Sequence, residues 1–220
     1  MTPNAAATLV QARLGNRSGL DTQFHLELQA AQIEMEQDPT LSPWFLRSYA
    51  DSVDLSPTTS NSILLSASFL RPADGVDNLF YEAATGEWKP LLLLQDKVLY
   101  LTAAEQAAAN LPTGAPTSAF FETQQPSKYL RFDPYPDVNY TIRYFGYFAA
   151  ASTSGNVENV WMISAPDLMI AKAGLRIARY LRDPAAVKLW EQDLQEATRR
   201  LMVANIDFEQ RGMPAIVREH

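Results

Sequence analysis

Two short runs of alternating residues, separated by a turn containing two prolines, constrain this chain more than any other stretch. They lie within Ser127–Phe148, SKYLRFDPYPDVNYTIRYFGYF. In Tyr129–Phe132, Leu130 and Phe132 share one face, and Tyr129 and Arg131 the other. Asp133-Pro134-Tyr135-Pro136-Asp137 then interrupts any ladder, because two prolines remove two amide donors and fix φ. The second run sets Tyr140, Ile142 and Tyr144 against Thr141, Arg143 and Phe145. A period of two on both sides of a Pro/Asp turn predicts a β-hairpin.

The rest of the chain divides by texture. Thr2-Pro3 predicts an N-cap with proline at the first helical position, opening a short helix over Ala5–Leu14 that Gly15 ends. Asp21 is placed to cap a second helix running to about Gln37. Phe24, Leu28, Ala31 and Met35 form its buried stripe, with Leu26, Ala30 and Ile33 to one side, so the helix is expected to contact two surfaces. From Pro43 the runs become short: Trp44–Val53, Ser62–Leu70, Asn78–Tyr81, Trp88–Leu93 and Val98–Leu101, with turn chemistry between them. Thr102 and Glu105 make a T-x-x-E capping box before Gln106–Ala109, and Thr117–Glu122 reads as a further strand.

After Ser152–Asn156 the helical period returns. Ser164 and Asp167 predict a helix start, with Leu168–Arg182 helical and Gly174 tolerated where a neighbouring backbone comes close. Asp183-Pro184 ends that helix and starts the next. Val187, Trp190, Leu194, Ala197, Leu201, Ala204 and Phe208 recur at alternating spacings of three and four, a seam for a partner helix. The joint is short enough for an antiparallel hairpin. The fold class that follows is α+β: an antiparallel helical bundle drawn from both chain ends, with a β-rich insertion of short antiparallel strands and one small helix. Its expected parts are 1–42 and 158–208 for the bundle, 43–157 for the insertion, and 209–220 for a C-terminal tail.

Composition excludes several functions. The formal charge of −7 argues against general affinity for nucleic acid or acidic membranes. The chain has no cysteine, which removes disulfides and thiolate metal sites. Its two histidines, His25 and His220, belong to no ligand-spaced cluster. The longest apolar run, Leu91–Leu94, is far shorter than a membrane span of about 20 residues, and the first residues predict no secretion signal. Glu34 and Glu36 diverge on a helix, Glu82 and Glu87 flank a turn, and glycines never cluster as a phosphate cradle. No nucleophile elbow accompanies His25. Catalytic residues, cofactor and metal are all expected to be none. Lys172, Arg176 and Arg179 form a basic stripe at i, i+4 and i+7. That stripe reads as a solvated face or as one that meets an acidic neighbour or DNA. The aromatic set around Tyr129–Phe148 reads as core packing, since only two arginines interleave with it.

Taken in order, YLRFDPYPDVNYTIRYFGYF and the later WMISAPDLMIAKAGLRIARYLRDPAAVKLWEQDLQEATRRL resemble the head-to-tail adaptor (neck, connector) proteins of tailed bacteriophages. The residues that carry the resemblance are Leu130–Phe132, Pro134–Asp137, Tyr140–Phe145, Ala165-Pro166-Asp167 and Leu181–Pro184, with segment 43–100 alike only in texture. The resemblance implies a non-enzymatic virion protein, made in the host cytoplasm and placed in the neck between capsid and tail. There it would form a homo-oligomeric ring, often dodecameric, that docks under the portal and extends the DNA channel for ejection. Implied partners are the portal protein, tail or nozzle proteins, neighbouring copies of the chain and double-stranded DNA in passage, with no membrane.

Lys172, Arg176, Arg179, Glu27, Glu34 and Glu36 are expected to be subunit-interface charges, the basic and acidic sets on complementary sides of neighbouring copies, or charges lining the channel. The tail is expected to dock on the portal through Arg211, Met213, Ile216, Val217 and Arg218, because its apolar groups have no periodic core to join. Alternatives from other classes are a tail-completion or tube component, a neck-associated cell-wall hydrolase, and a bacterial binding module built on a β-sandwich.

Overall fold

The computed structural model describes residues 1–210, except 16, 18, 51–52, 74–77, 84–85, 95–98, 125–126 and 154–156. These described residues form two compact units. One is helical and contains Met1–Leu46 together with the chain from Ala149 onward; the other is Arg47–Phe148.

The helical unit contains α1 (Pro3–Arg13), α2 (Asp21–Gln37), α4 (Val160–Ser164), α5 (Pro166–Tyr180) and α6 (Pro184–Gln210). Local chemistry sets most of their ends. The Thr2 side chain accepts from the Ala5 amide at 3.3 Å, with Pro3 in the first turn of α1. Asp183 accepts from the Ala186 amide at 3.1 Å ahead of Pro184. Asn159 caps α4 by accepting from the Met162 amide at 3.0 Å. Ser164 therefore closes α4 instead of opening the next helix, and Pro166 starts α5.

Contacts between α5 and α6 run in opposite directions along the two helices: Arg179 with Glu191, Gly174 with Trp190, Asp167 with Arg200. The pair is an antiparallel hairpin, as its tight joint predicts. The seam on α6 is less continuous than its spacing suggests. Trp190, Ala197 and Leu201 are buried, Val187, Leu194 and Phe208 are half-buried, and Ala204 is exposed. Gly174 does permit a close approach, but to the Trp190 ring and not to a backbone: a methyl there would stand 2.7 Å from two ring carbons.

The other unit corrects the expected architecture. It takes in close to half of the chain and builds two sheets, so the protein is a mixed α+β molecule and not a helical bundle carrying a β-rich insertion. Its strands are β1 (Arg47–Tyr49), β2 (Val53–Leu55), β3 (Ser62–Leu64), β4 (Phe69–Pro72), β5 (Leu79–Glu82), β6 (Trp88–Pro90), β7 (Leu92–Leu93), β8 (Ser118–Gln124), β9 (Ser127–Asp133) and β10 (Tyr140–Phe148). The short strands β1–β7 resemble loop decoration when read singly. All but β6, which pairs with β5, line up along β8, β9 and β10, and that alignment turns them into sheets. The helix α3 (Ala103–Ala109) carries the predicted capping box between Thr102 and Glu105.

The predicted hairpin is also corrected. Strands β9 and β10 do not pair. In one sheet β9 lies between β3 and β8, so Arg131 faces Ser62 on one edge and Phe120 on the other. In the other sheet β10 is central: β1 and β2 run along one edge, β4 and β5 along the other, with β6 outside β5. Both edges of both strands are occupied, and neither has a ladder to give the other. The Pro134–Asp137 turn is a crossing from sheet to sheet. The Tyr135 hydroxyl donates to the Pro57 carbonyl at 3.3 Å along the way.

The faces of β10 do follow the alternation. Tyr140, Ile142 and Tyr144 are buried in a cluster with Leu55, Phe69, Leu79, Leu130 and Phe132, drawn from both sheets. The expected 43–157 boundary shifts inward because Trp44–Leu46 is a 3-10 turn of the helical unit. Trp44 stacks on Phe208 at 5.0 Å between centroids, and Phe45 meets Trp161 edge-on at the same distance.

Candidate functional site

The residues singled out by charge gather in the helical unit, where α5 lies between α2 and α6. At 100° per residue, Lys172 and Arg176 occupy one side of α5, and Ile170 and Gly174 the other. On the first side, Lys172 donates to Glu34 at 2.6 Å, and Arg176 donates to Glu27 at 2.5 Å and to Glu34 at 3.1 Å. Hydrogen bonding from Lys172 is the largest influence holding the Glu34 carboxyl below its ordinary range. The contact with Glu27 raises Arg176. Arg179 reaches Glu191 of α6 at 3.0 Å.

These are the residues expected to pair across a ring, and most of the pairs form within one chain instead. Physical proximity explains it, because α2 and α5 pack antiparallel with their charged stripes aligned. Glu36 departs from the expectation altogether. It is buried, and its Oε1 accepts from Gln32 at 2.9 Å, from the Ala150 amide at 3.0 Å and from Trp161 Nε1 at 2.9 Å.

Gln32 extends this polar cluster. Its amide nitrogen donates to the Ala150 and Ala151 carbonyls, both at 3.2 Å, while its oxygen accepts from the Thr153 amide at 3.2 Å and from Asn159 at 3.0 Å. A buried polar side chain is tolerated only when it is hydrogen-bonded, and here the bonds tie residues 150–153 to α2. Sequence reasoning missed the cluster. The available signal was spacing: Leu28, Gln32 and Glu36 follow one another at i+4 along the buried stripe.

Closing the charges inward leaves apolar groups outward. The residues exposed on α2 are Asp21, Thr22, Leu26, Ile33, Glu34 and Gln37. Leu26 is 56% exposed and Ile33 55%. Asp21 accepts from Gln11, and Glu34 is held by α5, so the middle of the stripe is uncharged. Helix α2 packs on both α1 and α5, but the side that carries Leu26 and Ile33, expected to supply the second contact, is exposed. On α6 the face bearing Asn205 and Phe208 turns to Trp44, whose amide donates to Asn205 at 3.1 Å. Beside it Met202, Val203 and Ile206 are exposed.

A groove of about 530 Å³ opens between α1, α5 and α6 beside Leu9, Ile170 and Trp190. Its polar rim is internally paired: Arg13 with Asp193 at 2.5 Å, and Arg200 with Asp167 at 3.5 Å and Glu196 at 2.8 Å. The Arg13 guanidinium also lies 5.0 Å from the centre of the Trp190 ring.

His25 is half-buried, with its Nδ1 unbonded and its ring edge-on to Phe24. Among the described residues no group of three or more His, Asp or Glu side chains is placed to hold a metal ion. No described helix is long and apolar enough to cross a membrane. The proposed portal-docking residues Arg211, Met213, Ile216, Val217 and Arg218, and His220, lie outside the described residues. No protein-family model matches the chain, and no curated protein matches it.

Proposed function

We propose that the chain is a head-to-tail adaptor of a tailed bacteriophage. As a virion structural protein it would form a ring beneath the portal, extend the DNA channel and offer the tail its attachment site. The observation that carries this reading is where the resembling segments fall. Leu130–Phe132 lies in β9 and Tyr140–Phe145 in β10, each central in its sheet, while Ala165–Asp167 and Leu181–Pro184 bracket α5 at the centre of the helical unit. The resemblance thus runs through the elements around which both units are built.

Physical chemistry supports the same role. A conduit must let DNA pass without holding it, and affinity for DNA comes from neutralising phosphates. A chain of charge −7 matches the basic stripe on α5 with its own carboxylates, so that stripe is not left free for phosphates. Its partners would be the portal protein, tail or nozzle proteins and copies of itself. Residues 211–220 would be the segment that docks on the portal, and no catalytic step or cofactor enters the role.

The test is reconstitution. Heads that carry portal but lack a neck should accept tails after addition of the purified chain, and should fail to do so with a folded chain truncated after Gln210. Tail joining that is no better with the chain than without it would overturn the assignment. Normal joining by the truncated chain would remove the docking segment alone.

A further inference from the structure

The chain re-enters the helical unit after β10 through Ala149, Ala150, Ala151, Ser152 and Thr153. These side chains are small, so the segment has little apolar surface with which to hold its place. Its hold comes from α2 and Asn159, and it is made on backbone groups. The Ala150 amide donates to Glu36 at 3.0 Å, and the Ala150 and Ala151 carbonyls each accept from Gln32 at 3.2 Å. The Ala151 carbonyl also accepts from Asn159 at 2.8 Å, and the Thr153 amide donates to the Gln32 oxygen at 3.2 Å. That oxygen accepts from the Asn159 side chain as well, at 3.0 Å.

The helix that follows is held in the opposite way. Trp161 and Met162 of α4 are fully buried, and the Trp161 ring meets Phe45 edge-on at 5.0 Å between centroids. Packing fixes α4, whereas residues 149–153 are fixed chiefly by hydrogen bonds. The net worth of such a bond is small, because its groups bond to water when they separate. One group works against closure. Thr153 is 0% exposed, and its Oγ1 is buried with no hydrogen-bond partner among the described residues. An unpaired buried hydroxyl is costly, and release into water removes the cost.

We infer that residues 149–153 are a strap that leaves α2 and returns to it as one unit, while α4, α5 and β10 stay folded. The bonds are shared: Gln32 serves Ala150, Ala151 and Thr153 together, so loss at one end loosens the other. Glu36 ties the same strap to Trp161, whose indole N–H donates to it at 2.9 Å. The fixed side of the device is α2 with Trp161, and the moving side is the backbone of the strap. Segments that open locally are those with few buried apolar contacts, and this one adds an unpaired hydroxyl that favours opening. The inference does not depend on the role proposed above.

Amide hydrogen exchange of the full chain, resolved by residue, tests it. In the wild type the Ala150 and Thr153 amides should be protected to the same degree, and less than those of Ala173 and Leu175 inside α5. Thr153→Val removes the unpaired hydroxyl, and it should raise protection roughly tenfold both at Ala150 and at position 153. Ala150 bonds to Glu36 and not to that hydroxyl, so an equal gain is the mark of a single opening. Glu36→Gln weakens the other end. It should lower protection at Ala150 and equally at position 153, whose amide bonds to Gln32, with the circular dichroism spectrum unchanged. Strap amides as well protected as those of α5 would overturn the inference, because the segment would then open only when the unit unfolds. So would a gain confined to position 153, a loss there in Thr153→Val, or a loss confined to Ala150 in Glu36→Gln.

Discussion

The two units secure their central elements by different means. In the β unit, β10 has a strand on each edge along its length, and the Tyr140, Ile142 and Tyr144 face enters a core shared by both sheets. In the helical unit, α5 is buried around much of its circumference by α2 and α6, yet those two helices are covered on their inner sides only. Sheets are completed by hydrogen bonds and helices by packing. β10 has no open edge, whereas the helical unit ends in two open apolar faces. Exposed apolar residues of the β unit, such as Leu64, Leu92 and Val138, stand singly on separate elements. Scattered groups of that kind are ordinary, and contiguous ones mark contact sites.

The largest expected effect tests whether the two cores are separate. Trp190 is fully buried between α5 and α6, and Trp190→Ala should cost about 3–5 kcal/mol. Followed by calorimetry, the loss should fall on the unfolding of the helical unit, leaving the β unit close to its wild-type midpoint. Equal shifts in both would break the comparison. Leu194→Ala, at a half-buried position on the same helix, should cost less.

Next come the two glycines at the closest approaches, one in each unit. A methyl at Gly146 in β10 would meet the Phe69 ring at 2.5 Å and the Arg71 carbonyl oxygen at 2.7 Å. At Gly174 in α5 it would meet only the Trp190 ring. Overpacking costs about 1–3 kcal/mol, and Gly146→Ala should lie at the top of that range because a backbone atom blocks it. Alanine in a helix recovers about 1 kcal/mol, so Gly174→Ala should be the milder change in urea unfolding. The reverse order would show that α5 is packed more rigidly than β10.

A smaller effect distinguishes the β unit by pH. Burial, and then the hydrogen bond to Asp137 at 2.6 Å, push the Tyr140 hydroxyl up to about 12. A group raised in the folded state stabilises fully below its ordinary value of about 10 and loses that contribution as pH rises through its folded value. Wild-type stability should therefore fall between pH 10 and 12, and the fall should be shallower in Tyr140→Phe. At neutral pH the same substitution should cost about 1 kcal/mol. An unchanged alkaline slope would remove Tyr140 from this role.

The smallest effect concerns the charges between α2 and α5. Glu34 is 50% exposed, so Glu34→Gln should cost less than about 1 kcal/mol. Glu34 is lowered in the folded state, so its stabilisation is present above the ordinary glutamate range and lost as pH falls through the lowered value. Urea midpoints measured down that range should show a shallower decline in Lys172→Ala, since Lys172 is the main cause of the shift. A larger loss in Glu34→Gln than in either glycine variant would mean that the ion pairs organise α5.

Much of the helical unit was legible because its signals are local. Thr2-Pro3, Thr102 with Glu105, Asp183-Pro184 and the stripe Phe24, Leu28, Ala31 and Met35 each act within a few residues. Strand partners were not legible. Alternation in Tyr129–Phe132 and Tyr140–Phe145 shows that each is a strand with one buried face, but not which edges lie beside it. A proline turn serves a hairpin and a crossing between sheets equally well. Segments of two to four residues such as β1, β4 and β7 carry too few positions to show a period. Among the charged residues, periodicity correctly placed Lys172 and Arg176 on one stripe and brought Glu27 and Glu34 into consideration as partners. It carried no information on whether those partners lay in the same chain. Glu36 was misread because a carboxylate on a helix suggests water, and only its bonds to Gln32, Ala150 and Trp161 show otherwise.

The most direct measurement is sedimentation velocity of the full chain with and without purified portal rings. By itself the chain should sediment near its single-chain mass of 24.5 kDa. With portal it should leave that position and travel with the portal as one heavier species whose added mass is a whole ring of chains. A chain that stays at its single-chain position beside an unchanged portal boundary would contradict the adaptor reading.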